Sequence, residues 1–314
     1  MHALVTGAAG FVGSHLAEAL LAEGHRVTAV DCFTDYYDVA VKARNATAIA
    51  AHSDAELIEA DLLDLDLPAL LAPIDVVFHQ AGQPGVRLSW GDSFAIYDRL
   101  NVLVTQQLLE AARTTHLDRF VYASSSSVYG EAERYPTVET DLPQPRSPYG
   151  VTKLAGEHLC ALYAAQWQVP TVALRYFTVY GPRQRPDMAF HRLTRAALTG
   201  EPFPLYGTGE QVRDFTYVAD IVQANLLAAA ADLEPGVVMN IAGGGASRLR
   251  DLIDLAGELA GQPVNVDALP EAAGDIMRTG GDTTRAVSLL GWIPTTDVET
   301  GLKAELEWMR DQIA

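Results

Sequence analysis

The opening of the chain constrains the fold more than any other stretch. An apolar run, Ala3-Leu4-Val5, leads into Gly7, Gly10 and Gly13, and an apolar-periodic run from Phe11 to Leu21 then stops at Gly24. Strand, tight glycine turn and helix N-terminus in that order make a cradle for a pyrophosphate. The reason is that the unpaired backbone N–H groups of a first helical turn and the helix dipole both face an anion there. The spacing of the three glycines is one residue looser than the usual dinucleotide fingerprint. The next segment supports it: Arg26-Val27-Thr28-Ala29-Val30 reads as a second strand, and Asp31 at its end offers a carboxylate to an adenosine ribose diol. An acid at that point repels a 2′-phosphate, so NAD is expected rather than NADP.

Strand and helix signals continue to alternate. Glu56 to Ala60, Val76 to His79, Arg119 to Ser124 and Val172 to Tyr176 read as short strands with helical patterns between them. The expected fold is α/β, a doubly wound parallel sheet with right-handed crossovers and helices on both faces. After Tyr180 the pattern shortens and Gly/Pro breaks gather, in Gly181-Pro182-Arg183, Gly207-Thr208-Gly209 and Gly243-Gly244-Gly245. A nucleotide-binding domain over 1–180, rejoined by a segment at about 213–245, and a smaller mixed α/β lobe over 181–314 are therefore expected.

With 314 residues, 49% of them hydrophobic, the chain can bury a full core. Its formal net charge of −18 argues against nucleic acid or an anionic membrane surface as partner, so an anionic ligand must meet a local basic cluster. Cys32 and Cys160 show no metal or redox spacing; both are expected to be buried thiols in a reducing compartment, and no metal is expected. No signal-peptide pattern opens the chain and no apolar run is long enough to span a membrane, which predicts a cytoplasmic protein.

Tyr149 and Lys153 carry the chemical signal. Four positions apart on a helix, they share a face, so the ammonium can stabilise a phenolate beside a nicotinamide. Taken alone, such a pair is equally a solvated one, and the serines from Ser124 to Ser127 are equally a loop or helix cap. It is their joint occurrence, in order, with the glycine turn and Asp31 that points to redox chemistry at a carbinol.

The stretches Thr6 to Gly13, Asp61-Leu62, His79-Gln80-Ala81-Gly82, Ser124 to Gly130, Tyr149 to Lys153, Arg175 to Arg185 and Arg213 to Asp220 together resemble an extended short-chain dehydrogenase/reductase of the nucleotide-sugar epimerase family. The likeness runs over essentially the whole length. Thr178 to Pro186 and Asp35-Tyr36-Tyr37-Asp38 are most similar to UDP-glucuronate 4-epimerases, and Gly82-Gln83-Pro84 departs from the family's usual Ala-Gln-Ala.

The resemblance implies Tyr149 as the base, with its pKa lowered by Lys153 and the oxidised nicotinamide, and Ser125 as the hydroxyl that holds or relays the proton. It implies cofactor contacts from Gly7, Gly10, Phe11, Val12, Gly13, Asp31, Asp61, Leu62, Ala81, Tyr149 and Lys153, with Asn101, opening a helix over 102–112, as a structural asparagine. For the substrate it implies Arg87, Ser126 and Ser127, Arg213 and Arg278 as a diphosphate clamp, Met188, Phe190 and Gln211 near uracil, and Asp282 near its ribose. Met188 and Phe190 read equally as core residues. Thr178, where UDP-glucose epimerases have asparagine, and Arg185 are expected to meet a sugar carboxylate.

Ser126-Ser127 stand where related dehydratases have an Asp-Glu pair and decarboxylases a glutamate, which leaves epimerisation. The expected activity is interconversion of UDP-glucuronate and UDP-galacturonate at carbon 4 by a homodimer that retains NAD. The alternatives are a 4-epimerase of a neutral UDP-hexose and a catalytically silent NAD-binding scaffold.

Overall fold

A computed structural model of the chain describes residues 1–270 and 276–313. In its first part β1 (His2–Thr6), β2 (Arg26–Asp31), β3 (Ala55–Glu59), β4 (Val76–His79), β5 (Arg119–Ser125) and β6 (Thr171–Tyr176) alternate with α1 (Phe11–Ala22), α2 (Val39–Ala50), α3 (Leu67–Leu71), α4 (Phe94–Tyr97), α5 (Val104–Ala112) and α6 (Pro148–Trp167). Then follow β7 (Thr178–Tyr180), α7 (Ala189–Thr199), β8 (Phe203–Tyr206), β9 (Val212–Tyr217), α8 (Val218–Ala230) and β10 (Val237–Ile241). The chain ends with β11 (Ala246–Arg248), α9 (Leu249–Ala260), β12 (Val266–Leu269), α10 (Thr284–Leu290) and α11 (Val298–Ile313).

Seven strands form one sheet in the order β10-β6-β5-β4-β1-β2-β3, every pairing parallel. A parallel sheet is buried on both faces, so its central strands are apolar throughout, as in Ala3-Leu4-Val5 and Val76-Val77-Phe78. One face packs Leu16, Leu20, Ile221 and Met239 from α1, α8 and β10; the other packs Leu71, Leu108, Tyr122 and Tyr163 from α3, α5, β5 and α6. Strand order reverses at β1, which has β2 on one side and β4 on the other. Ligands bind open α/β sheets at such a switch point, outside the carboxyl ends of the strands.

Above those ends sit two small sheets, β11-β9-β7 and β12-β8, packed with α7, α9 and α11 around Tyr180, Phe190, Leu193, Phe215, Leu252 and Leu306. Among the described residues no helix is long and apolar enough to cross a membrane.

Two local expectations are corrected. The helix expected from Val102 begins at Val104, because Asp98–Leu103 winds as a wider π-helical stretch with the buried Asn101 inside it. A wider turn leaves little trace in apolar periodicity, and such turns collect at functional sites. Cys160 is buried as expected, but Cys32 is exposed, since β2 ends at Asp31 and Cys32 opens the loop at the sheet edge.

The glycine turn has no room for side chains. Gly7 takes a left-handed φ of +69°, and a Cβ on it would lie 2.8 Å from the Ala81 backbone nitrogen; a Cβ on Gly13 would lie 2.1 Å from the Gly7 carbonyl oxygen. That contact is backbone against backbone, so Gly13→Ala must push α1 off β1. It is expected to lower stability by about 1–3 kcal/mol or more, measured by urea denaturation, and to empty the purified protein of bound dinucleotide. A variant with wild-type midpoint and cofactor content would show that the turn tolerates a wider approach.

Candidate active site

A cleft of about 740 Å³ runs along the carboxyl ends of the strands, lined on one side by the glycine turn, Asp31 and Asp61 and on the other by Tyr206, Gln211 and Arg213. Its cofactor end fits a dinucleotide on the chain's own geometry. Gly10 caps α1 without any side-chain hydrogen bond, so the N-terminal N–H groups of that helix stay open to the cleft. Asp31 is buried and held by N–H donors from Ala9 (3.1 Å) and Phe33 (2.8 Å). Phe11, Val12, Leu62 and Ala81 complete the wall.

At the centre, β5 delivers Ser124 and Ser125, and the short 3₁₀ turn after it delivers Ser126 and Ser127. The Ser125 hydroxyl accepts from the Ser127 N–H at 3.1 Å, which fixes the turn. Helix α6 starts beside it, capped by Ser147, whose hydroxyl accepts from the Gly150 N–H at 3.1 Å. That entry brings Tyr149 and Lys153 into the cleft on successive turns. Ser125 lies close enough to the Tyr149 phenol to favour its charged form, and the Tyr97 ring meets Tyr149 edge-on at 6.3 Å.

The Lys153 ammonium donates to the Ala123 carbonyl at 2.9 Å. Burial pulls its pKa from 10.5 down to about 8, opposed by Cys160 and Glu157. Burial also raises the Tyr149 phenol above its ordinary value, against the Ser125 hydroxyl and the Arg185 charge. The expected lowering by Lys153 is therefore not a property of the protein's own groups: desolvation of the phenolate outweighs them.

Asn101 acts on the loop rather than lining the cleft. Its Oδ1 accepts from the Gln83 N–H at 2.6 Å, and its Nδ2 donates to the Gln83 carbonyl (3.1 Å) and Thr152 hydroxyl (3.0 Å). Gly82 lies against this arrangement, where a Cβ would be 2.8 Å from Asn101 Oδ1 and 3.3 Å from Lys153 Nζ. Glycine at the position of the usual alanine thus lets the loop close tightly on both side chains.

Of the residues expected at the substrate end, Arg87, Ser126, Ser127, Thr178, Arg185, Met188, Gln211 and Arg213 line the cleft. Arg87 stacks on the Tyr206 ring at 4.0 Å. Gln211 donates to the Tyr206 carbonyl at 2.7 Å, while its own buried carbonyl oxygen has no partner among the described residues, an acceptor prepared for a donor such as a base N–H.

Three residues are placed elsewhere. Phe190 is fully buried in the lobe core, packed on Tyr180 and Phe215 at 4.6 and 4.7 Å, the core alternative the sequence left open. Asp282 caps the start of α10 through the Thr284 N–H and joins Thr137 and Asn240 by its backbone. Arg278 lies over the Tyr135 ring at 5.2 Å in a small side pocket that shares Ser126 and Phe177 with the main cleft. Its backbone bridges Val212, next to Arg213, so it sits beside the expected clamp rather than in the cleft.

Several cleft residues carry no spacing signal. Lys42 on α2 approaches Asp31 to 3.7 Å, donates to Thr34 at 2.9 Å and lies over the Tyr37 ring at 5.2 Å. Asp187 and Tyr206 come from loop and strand in the lobe. Glu157 was legible in principle, since it continues the Tyr149, Lys153 row by another four residues. Cations outnumber carboxylates around the cleft: Lys42, Arg87, Lys153, Arg185, Arg192 and Arg213 against Asp31, Asp61 and Asp187. The local balance is the reverse of the chain's 22 basic and 40 acidic residues.

A model of the NAD dependent epimerase/dehydratase family matches residues 3–242. The chain belongs to this family. It is 43% identical to the UDP-glucuronic acid 4-epimerase from Bacillus cereus, solved in complex with UDP-glucuronic acid and NAD, with a TM-score of 0.96 over 99% of this chain and 100% of that one. MoeE5, solved in complex with UDP-glucose and NAD, is 42% identical with a TM-score of 0.91 over 100% of both chains. An uncharacterised UDP-glucose epimerase of Bacillus subtilis (strain 168), YtcB, is 41% identical over 310 residues, covering 98% of each protein.

Lys153 makes a testable link between site and stability. Its folded pKa of about 8 lies below its unfolded value of 10.5, so the unfolded chain binds the extra proton between them. The ammonium thus destabilises the fold fully below pH 8, and the penalty fades as pH rises towards 10.5. With both proteins freed of NAD, the Lys153→Met variant should be more stable than wild type near pH 7 by up to about 3 kcal/mol, with the advantage gone near pH 10.5, as read from denaturation midpoints. A stability difference that does not change with pH would mean that Lys153 titrates normally.

Proposed function

We propose that this chain epimerises carbon 4 of a UDP-sugar with NAD as resident cofactor, and that UDP-glucuronate and UDP-galacturonate are its substrate pair. The observation that carries this reading is the convergence of Ser125, Tyr149 and Lys153 on one cleft that also holds Thr178 and Arg185. Tyr149 takes the proton of the 4-hydroxyl, and the Ser125 hydroxyl beside it stabilises the charged phenol and passes the proton back. The glycine turn, Asp31 and Lys153 would hold NAD, which would supply a reversible hydride acceptor for carbon 4. Lys153 supplies positive charge beside Tyr149, and Gln211 and Arg213 receive the uridine diphosphate. Thr178 and Arg185 hold the sugar carboxylate.

A homodimer in the cytoplasm completes the reading. Helix α4, the π-helical stretch and α6 pack together and leave Phe94, Ile96, Leu103, Val151, Leu162 and Trp167 at 40–51% exposure, apolar surface that suits a second copy. Both cysteines are free, which suits a reducing compartment.

Purified protein is expected to release nicotinamide dinucleotide on denaturation and to convert UDP-glucuronate to UDP-galacturonate without added cofactor, followed by product chromatography. Tyr149→Phe keeps the ring's packing and loses the proton-transfer group, so turnover should fall about a hundred- to ten-thousand-fold while UDP-sugar binding survives. Turnover of UDP-glucose with none of the uronate would favour the neutral-hexose reading, and near-normal turnover by Tyr149→Phe would move the base elsewhere.

A further inference from the structure

Arg185, the cation at the sugar end of the cleft, has its fork already occupied. Its Nε and Nη2 donate to the two carboxylate oxygens of Asp187, each at 3.0 Å. Tyr36, from the loop between β2 and α2, donates its hydroxyl to Asp187 Oδ2 at 3.4 Å, and the Arg185 guanidinium lies 6.0 Å from the Tyr36 ring centre. Burial pushes the Tyr36 phenol up to about 12, so it stays a donor. Both members of the ion pair line the cleft with Tyr149 and Thr178, and neither is sealed away, with 18% of Arg185 and 31% of Asp187 exposed.

We propose that Asp187 is a specificity-determining residue, an internal carboxylate that holds Arg185 when the sugar brings none and competes with the sugar's carboxylate when it does. The inference rests on the reading of the chain as a UDP-glucuronate epimerase. A neutral hexose meets a satisfied, net-neutral pair, and no guanidinium is stranded beside its carbon 6 hydroxyl. A uronate meets the same cation with a second carboxylate already on it, so it must take one arm of the fork and tolerate a like charge nearby. Asp187 therefore narrows the preference for uronate over hexose. Tyr36 strengthens this by holding Asp187 from the opposite wall of the cleft.

The test uses the holoenzyme, with kcat/KM for UDP-glucuronate and UDP-glucose in wild type and Asp187→Asn, and calorimetric Kd values for both nucleotides. Asparagine keeps the shape and an acceptor for Tyr36 but not the charge. A charge-assisted hydrogen bond is worth about ten- to a hundred-fold, so Asp187→Asn should raise the uronate-to-hexose ratio at least about ten-fold, mainly through a lower KM for the uronate. Asp187→Glu, which restores the carboxylate, should return the ratio towards wild type. An unchanged or lower ratio in Asp187→Asn, in both kinetics and binding, overturns the proposal. If Asp187→Asn loses its nicotinamide or its thermal midpoint drops, Asp187→Ser is measured in its place with the same two outcomes. A wild type that epimerises only UDP-glucose sinks the functional reading instead, and the ratio of the two Kd values still decides the role of Asp187.

Discussion

The ion pair between Glu157 and Arg175 holds the candidate active site in place. Both side chains are 5% exposed, and the guanidinium meets both carboxylate oxygens, Nε to Oε1 at 2.9 Å and Nη2 to Oε2 at 2.7 Å. Glu157 is on α6 and Arg175 on β6, while Ser124 of β5 also donates to Glu157. Arg175 goes on to the Tyr129 hydroxyl at 2.8 Å, which donates to Asn240 of β10 at 2.7 Å. Helix α6 is thus fastened to β5 and β6, and through Arg175 and Tyr129 to β10, one turn beyond Lys153. Removing one partner of such a buried pair costs about 3–5 kcal/mol, more than α6 could recover by sliding, so the helix has one seat on the sheet.

The cleft depends on contacts between parts of the chain far apart in sequence. Arg87 stacks on Tyr206 of β8, and Tyr36 reaches Asp187 before α7. His15 of α1 meets the Pro182 carbonyl at 2.9 Å, and Arg183 is bidentate to Glu18 of α1 at 2.8 and 3.0 Å. Apolar contacts join these polar and stacking ones, since Ala286 and Trp292 pack in the core with Leu16 and Leu20 and Tyr217 touches both that core and the one around Tyr180 and Phe190.

Backbone patterns were the legible part of the sequence. The glycine turn, Asp31 and the strands β2 to β6 stand within a residue or two of where alternation puts them, because burial on both faces of a parallel sheet forces apolar runs of fixed length. The seat of Tyr149 and Lys153 was legible from helical spacing. Side-chain direction was not. Phe190 and Met188 are two residues apart at the start of α7, and only the packing of that helix on Tyr180 decides that Phe190 enters the core while Met188 lines the cleft. Asp187 and Lys42 gave no signal because their meaning lies in partners distant in the chain or in loop geometry, Tyr36 for one and Asp31 for the other. The π-helical turn at Asn101 was hidden for a similar reason: Asn101 bonds the Gln83 backbone, a partner distant in the chain.

Lys153 shows what the anchored geometry is for. A cation acts on a neighbouring phenol most strongly where water is excluded, but exclusion of water also drives the ammonium towards neutrality. At this site burial has brought Lys153 to about 8, and Glu157, one turn further along α6, is among the groups that pull the other way. Arg175 fixes the Glu157 carboxylate in place, so the pair that fastens α6 to the sheet also positions a charge that opposes the fall of the Lys153 pKa. Position and charge at the centre both draw on this carboxylate, with Cys160 acting on Lys153 in the same direction, and the row Tyr149, Lys153, Glu157 on one helix face makes that possible.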